Sequence, residues 1–376
     1  MADIQGTWQP QYEGVATALS DSLDAGTDTG ASVAVLIGGE PVVDIWGGTV
    51  DEAGTAPWVE DTLVNVWSMT KTMTFLCALM LADRGELDFY APVSRYWPEF
   101  AAAGKEAVEV RHLMSHSAGL PGWDEPMRIE DLADWDRCTS LLAAQAPWWE
   151  PGTASGYHLV SQGYLIGEVV RRITGVSIGT WFASEVAGPL GADFFIGLPE
   201  SEEPRVSVVI PPPPMDLEKL ELSDLMIRAG SNPPLDATGP AHRWWRAAEI
   251  PAAGGHGNAR SVALVQSVVA GRGQTRGVRL LSEAGCDRVF DEQISGTDLI
   301  LGYDLRFGMG YGLSSSLMPL GPRACYWGGY GGSLIIMDQD ADMTICYAMN
   351  RMGDALMGDL RGLSIVMAAV SGLAGS

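Results

Sequence analysis

The sequence predicts an α/β (α+β) fold: a central antiparallel sheet flanked by terminal helices, with a mainly helical domain inserted into it. Two observations carry this. Each end of the chain supplies a helix and antiparallel strands, which most simply share one sheet. The stretch between them, roughly 86–250, reads as helix and loop. The expected division is therefore 1–85 with 251–376 as the sheet-bearing domain and 86–250 as the helical insertion, with a cleft where they meet.

Taken in order, residues 11–25 place Tyr12, Val15, Leu19 and Leu23 on one face of a helix. S-V-A-V-L-I, G-G, E-P-V-V-D-I-W-G-G then reads as two strands around a Gly-Gly turn. The apolar run after Ser68, closed by Gly85, predicts a helix over 69–84 with a glycine C-cap. Pro211–Pro214 marks an extended surface segment. Near the other end, A-C-Y-W-G-G-Y, G-G-S-L-I-I-M, D-Q-D-A-D and M-T-I-C-Y-A-M alternate strand and turn. A last helix carries Leu356, Leu360, Leu363, Met367 and Val370 at three- and four-residue steps.

A formal net charge of −24 argues against nucleic acid or an anionic membrane surface as partner. Five cysteines (77, 138, 286, 325 and 346), scattered and without a C-x-x-C pair, read as reduced thiols of a cytoplasmic protein. The N-terminus lacks the basic and apolar regions of a signal peptide. No apolar run reaches the ~18 residues of a membrane span.

Chemistry is concentrated at V-W-S-M-T-K-T-M-T, residues 66–74. The chain has only three lysines, Lys71, Lys105 and Lys219, and one stands three residues after a serine at a helix mouth. An i, i+3 spacing puts both on one face, one turn apart. A serine hydroxyl is a weak nucleophile until a base takes its proton. Free lysine, with a pKa of about 10.4, cannot be that base at neutral pH. Burial beside the positive end of a helix would disfavour the ammonium. The plain structural alternative is a serine N-cap with an exposed lysine, and Ser-x-x-Lys alone does not exclude it.

Tyr157 precedes an amphipathic helix in W-W-E-P-G-T-A-S-G-Y-H-L-V-S-Q-G-Y-L-I-G-E-V-V-R-R-I-T-G, 148–175. A phenol facing Lys71 could shuttle the proton, its own pKa falling beside the cation, as base and then as acid to the leaving group. In W-G-G-Y-G-G, 327–332, glycines suit a backbone passing close to something, and an N–H there could join that of Ser68 around an oxyanion.

These pieces together resemble the serine β-lactamase-like superfamily. The pattern is most similar to the family VIII carboxylesterases, near class C β-lactamases and D,D-peptidases. The resemblance covers nearly the whole chain: S-M-T-K, then H-L-M-S-H-S-A-G-L (112–120), E-P-G-T-A-S-G-Y (150–157) and W-G-G. It implies a β-lactamase/transpeptidase-like fold, Ser68 as acylated nucleophile, and Lys71 with Tyr157 as proton-transfer pair. Trp327, Gly328 and Gly329 would stand as third motif, with the N–H of Tyr330 as second oxyanion donor. Two departures from the β-lactamase pattern matter. Tyr157-His158-Leu159 lacks the amide that follows the tyrosine there, and no lysine follows Lys219, so the third-motif cation is missing. Both count against β-lactam turnover and favour neutral esters.

Several decoys remain. Gly175-Val176-Ser177-Ile178-Gly179 matches G-x-S-x-G, but a helix precedes it where a strand is needed, so Ser177 reads as an N-cap. His112 and His116 are spaced like zinc ligands without the glutamate or a third ligand, and read as hydrogen-bonded at a helix end. Asp338, Asp340 and Asp342 start like a calcium loop but lack its glycine and glutamate, and read as a hairpin turn. Trp123, Trp148, Trp149 and Trp327 could shape an apolar acyl pocket, with His158 and His256 lining the cleft; core packing explains these residues as well.

The resulting expectation is a cytoplasmic serine carboxylesterase acting on small, short-acyl esters, with no metal or organic cofactor. Alternatives on the same residues are β-lactamase, D-amino-acid peptidase or acyltransferase activity. A non-catalytic binding or sensor protein of this fold is a further one.

Overall fold

The computed structural model describes residues 2–213, 223–234 and 236–374; Pro214, the last of the four prolines, and Lys219 lie outside them. Nine strands form one sheet: β1 (Ile4–Trp8), β2 (Gly30–Ile37), β3 (Glu40–Gly48), β4 (Ile294–Thr297), β5 (Asp304–Phe307), β6 (Gly312–Leu313), β7 (Ala324–Gly328), β8 (Leu334–Asp338) and β9 (Met343–Met349). Their order is β1-β3-β2-β9-β8-β7-β6-β5-β4, antiparallel throughout. The two ends of the chain meet where β2 pairs with β9, Ala31 opposite Met349 and Ile37 opposite Met343. The helices that matter below are α1 (Glu13–Asp24), α2 (Thr70–Asp83), α3 (Ser161–Thr174), α4 (Asp224–Ser231), α5 (Ala259–Ala270) and α6 (Leu360–Ala374).

Side chains alternate faces along a strand, and here both faces are covered. Val33, Val35, Tyr326, Ile336, Ile345 and Tyr347 pack under α1 and α6. Ala34, Leu36, Trp327, Ile335, Met337 and Cys346 join the larger core that contains α2 and α5. A strand buried on both sides needs a continuous apolar run, which is how L-I-I-M and M-T-I-C-Y-A-M read. Helix α2 sits inside this core, with every residue from Thr70 to Leu81 buried. Gly85 (φ 77°) ends it as expected, its N–H donating to Ala82 O at 3.1 Å and that of Glu86 to Leu81 O at 2.9 Å.

The last helix departs from the expected stripe. Leu356 precedes it, and Leu360, Leu363, Met367 and Val370 are exposed on it. The buried set is Gly362, Ile365, Val366, Ala369 and Gly372. The helix docks by its small residues: a β-carbon on Gly372 would lie 2.5 Å from the Tyr12 ring. A helix apolar on all sides gives periodicity little to choose between.

Candidate active site

The chain enters α2 through a 3-10 turn, Trp67–Met69. Trp67 is in the left-handed region (φ 49°), strained for a residue with a β-carbon. Threonine hydroxyls lace this entry to the 251–255 loop. Thr70 Oγ1 donates to Trp67 O at 2.6 Å and accepts from Gly255 N at 2.9 Å, and Thr74 Oγ1 donates to Pro251 O at 2.7 Å. Ser68 does not cap the helix. Its Oγ lies 3.1 Å from Lys71 Nζ, so the spacing does bring the hydroxyl and the amine together.

Lys71 is completely buried, and its Nζ also reaches Leu159 O at 2.7 Å and Ala252 O at 3.0 Å. Burial holds its pKa well below the usual lysine range, with no carboxylate to oppose it. An uncharged amine has two N–H groups and one lone pair. The two carbonyls take the N–H groups, which leaves the lone pair for the Ser68 hydroxyl. Leu159 and Ala252 act through backbone atoms, so no side chain in the sequence announced them.

Tyr157 is buried beside this pair, the centre of its ring 4.8 Å from Lys71 Nζ. The expectation that a neighbouring cation would lower its pKa is wrong. Burial pushes the phenol up, and the opposing pull of Ser68 and Trp327 is smaller. Burial acts on both groups, raising the phenol and lowering the amine. The hydroxyl is near both groups without a closed hydrogen bond to either. A phenol held in its neutral form has a proton to give, and an amine lowered by burial has a lone pair to take one.

On the other side of Ser68 runs β7. Trp327 is buried and packs edge-on to Phe75 at 5.2 Å between ring centres. Gly328 and Gly329 are at close backbone approaches: a β-carbon on Gly329 would lie 2.6 Å from Val66 O, and one on Gly328 2.4 Å from the Met357 carbonyl carbon. Gly329 N donates to Ser333 O at 2.8 Å and Gly331 N to Ala355 O at 2.9 Å. The Tyr330 N–H between them has no backbone acceptor among the described residues. Tyr330 and Ser68 border the same cavity.

That cavity holds about 330 Å³. Beside Ser68 and Tyr330, its described walls are Trp67, Tyr157, Leu159, Val160, Met226, Ile227, Gly230, Ser231, Ala253, Ile300, Leu301 and Leu356, with no charged side chain among them. The expected pocket residues Trp123, Trp148, His158 and His256 are not there. Trp123 is buried, donating Nε1 to Cys138 O at 3.0 Å; Trp148 donates to Asp124 Oδ1 at 2.8 Å and Trp149 to Ala154 O at 3.0 Å. His158 turns inward, Nδ1 2.6 Å from Gly156 O and Nε2 accepting from Leu120 N at 3.0 Å. His256 lies in a small three-stranded sheet, Nδ1 2.9 Å from Gly254 O. The polar edges of these aromatic residues found partners within the protein, backbone groups for all but Trp148. The pocket wall comes in part from α4, which the sequence reading had not singled out.

The decoys fall as read. Ser177 is an N-cap, its Oγ accepting from Thr180 N at 3.3 Å and donating to Glu249 at 2.6 Å. Asp338 Oδ1 accepts from Asp340 N at 2.8 Å in a hairpin turn. His112 accepts from Glu109 N at 3.2 Å near a helix start, and His116 accepts through Nδ1 from His158 N at 2.9 Å just past that helix's end. No group of metal-binding side chains occurs among the described residues, and all five cysteines are free. No helix among them is long and apolar enough to cross a membrane.

An antiparallel sheet sandwiched between terminal helices and a buried Ser-x-x-Lys helix define a chain of the β-lactamase/transpeptidase-like fold. More particularly, the chain belongs to the Beta-lactamase family, whose model matches residues 16–366. It is 32% identical over 366 residues to "Esterase/beta-lactamase LipL" of Mycobacterium tuberculosis, covering 93% of this chain and 83% of that one. Among solved structures it is similar to a family VIII carboxylesterase, with 41% identity, a TM-score of 0.93, and 98% and 100% of the two chains covered. A penicillin-binding protein homologue from Caulobacter crescentus superposes with a TM-score of 0.90 at 33% identity, over 98% and 100%. The resemblance drawn from the motifs holds.

Proposed function

We propose that this chain is a serine carboxylesterase that hydrolyses small, neutral, short-acyl esters through an acyl-enzyme on Ser68. The observation that carries the reading is Lys71 Nζ, held by two carbonyls with its third direction on Ser68 Oγ, itself a residue of the wall of a cavity with no charged side chain among its described residues. Its relatives include proteins described as an esterase and as a family VIII carboxylesterase, which agrees.

The reaction follows from these positions. Ser68 Oγ attacks the ester carbonyl while its proton passes to Lys71 Nζ, and the new ammonium keeps all three acceptors. The N–H groups of Ser68 and Tyr330 receive the developing oxyanion. As the carbon–oxygen bond of the leaving alcohol breaks, Tyr157 gives that oxygen its proton and is restored by the Lys71 ammonium. Water then attacks the acyl-enzyme as Lys71 takes its proton, and the Lys71 ammonium returns that proton to Ser68 Oγ as the bond from Oγ to the acyl carbon breaks, releasing the acid. With no charged wall among the described residues, the cavity offers nothing to a substrate carboxylate, so neutral esters are favoured over β-lactams or D-alanyl peptides.

The test is p-nitrophenyl butyrate hydrolysis by Ser68→Ala and Ser177→Ala, with nitrocefin and a D-alanyl amide assayed beside it. Ser68→Ala should abolish ester hydrolysis and Ser177→Ala leave it largely intact. The reverse result, or an ester rate no faster than the other two, rejects the reading.

A further inference from the structure

The Tyr157 hydroxyl makes no closed hydrogen bond, so the phenol must be aimed by something other than its own oxygen. Three consecutive amides do this. Gly156 N donates to His116 O, Tyr157 N to Asp298 Oδ1, and His158 N to His116 Nδ1, each at 2.9 Å. The His116 ring lies against the phenol, with centres 4.7 Å apart, and stacks on Trp327 at 5.5 Å and 18°. We propose that His116, with Asp298, is the positioning residue of Tyr157, gripping the loop on both sides of it and backing the phenol with a flat ring. This rests on Tyr157 being the proton donor of the proposed reaction.

Two features set His116 apart from ordinary packing. Because Nδ1 accepts, the neutral ring carries its proton on Nε2, and that buried N–H has no partner. A phenylalanine would pack here without that cost, but it would lack the acceptor for His158 N. The backbone is also left-handed at His116 (φ 59°), which brings carbonyl and ring nitrogen of one residue to the same segment. Asp298 Oδ1 accepts as well from Ile300 N and Leu301 N, both at 3.0 Å, so the grip on Tyr157 continues into the cavity wall.

A proton donor matters most for a poor leaving group, which gives a readout that a merely structural residue does not move. The experiment compares kcat/KM for ethyl butyrate and p-nitrophenyl butyrate, which share an acyl group, in folded variants checked by thermal melting. His116→Phe keeps the ring and loses the acceptor. It should lower kcat/KM about 10- to 100-fold for the ethyl ester and under about 3-fold for the nitrophenyl ester. His116→Asn, whose Oδ1 replaces Nδ1, should recover most of the loss. Should His116→Phe not fold, His116→Gln, with its amide moved outward, should show the same ester-selective loss. Equal losses on both esters, or none, overturn the inference. Tyr157→Phe is the control: if it too loses both equally, the proton-donor reading itself is wrong and the inference falls with it.

Discussion

Among the described residues two lysines are buried, and only one of them has a hydroxyl against its amine. Lys105 Nζ donates to Ala102 O at 2.8 Å, Ala143 O at 3.0 Å and Gln145 O. Lys71 Nζ meets two carbonyls in the same way, but its third neighbour is the Ser68 hydroxyl. Both amines are destabilised as cations by burial: Lys105 is pushed down to about 8, and the deeper Lys71 well below its usual range. Burial alone therefore does not make a base. A carbonyl in the third direction asks for a proton, whereas a hydroxyl can give one up.

The sharpest way to break this contrast is to remove each amine in turn. Lys71→Met should lower kcat/KM for p-nitrophenyl butyrate about 10³-fold. Lys105→Met should leave it within about 2-fold while lowering stability by about 1–3 kcal/mol in a denaturant titration, since three carbonyls, that of buried Ala143 among them, lose the amine donor. Comparable activity losses would erase the distinction. Next in size, Gly329→Ala should cost about 10²-fold in kcat, because its β-carbon would press on Val66 O and move the Tyr330 N–H away from Ser68. A rate near wild type would remove β7 from the mechanism.

The pH profile sharpens the comparison further. Activity should rise with pH as Lys71 loses its proton and then level off, the midpoint lying well below the roughly 10.4 of free lysine. Lys105 should appear only in stability. Its folded pKa of about 8 lies below the unfolded value of about 10.4, so between these the unfolded chain binds more protons and stability climbs with pH. Denaturation midpoints across that window should climb less steeply in Lys105→Met. The smallest effect is Ser177→Ala, about 0.5–2 kcal/mol from a lost N-cap with ester hydrolysis retained.

The same contrast explains what the sequence could tell. Ser68 and Lys71 were legible because one helical turn separates them, and the Gly38-Gly39 hairpin and Gly85 cap because turn chemistry is local. The carbonyls that aim Lys71 belong to Leu159 and Ala252, 88 and 181 positions away, and any residue carries a carbonyl. The cavity wall was hidden for a related reason. Met226 and Ile227 on α4, and Ile300 and Leu301 on a loop, are common apolar residues that only folding gathers, whereas Trp123 and Trp327 went to the core. The phenol's pKa was misjudged because its largest cause is burial, which only the fold sets.

The most direct test is the rate at which a fluorophosphonate labels Ser68, followed by intact-protein mass across pH. Wild type should label with a rate that rises through one ionisation well below the range of free lysine, and Lys71→Met should label about 10³-fold more slowly with that ionisation gone. Equal labelling of the two proteins, with the same pH dependence, would show that Ser68 is activated by something other than the buried amine.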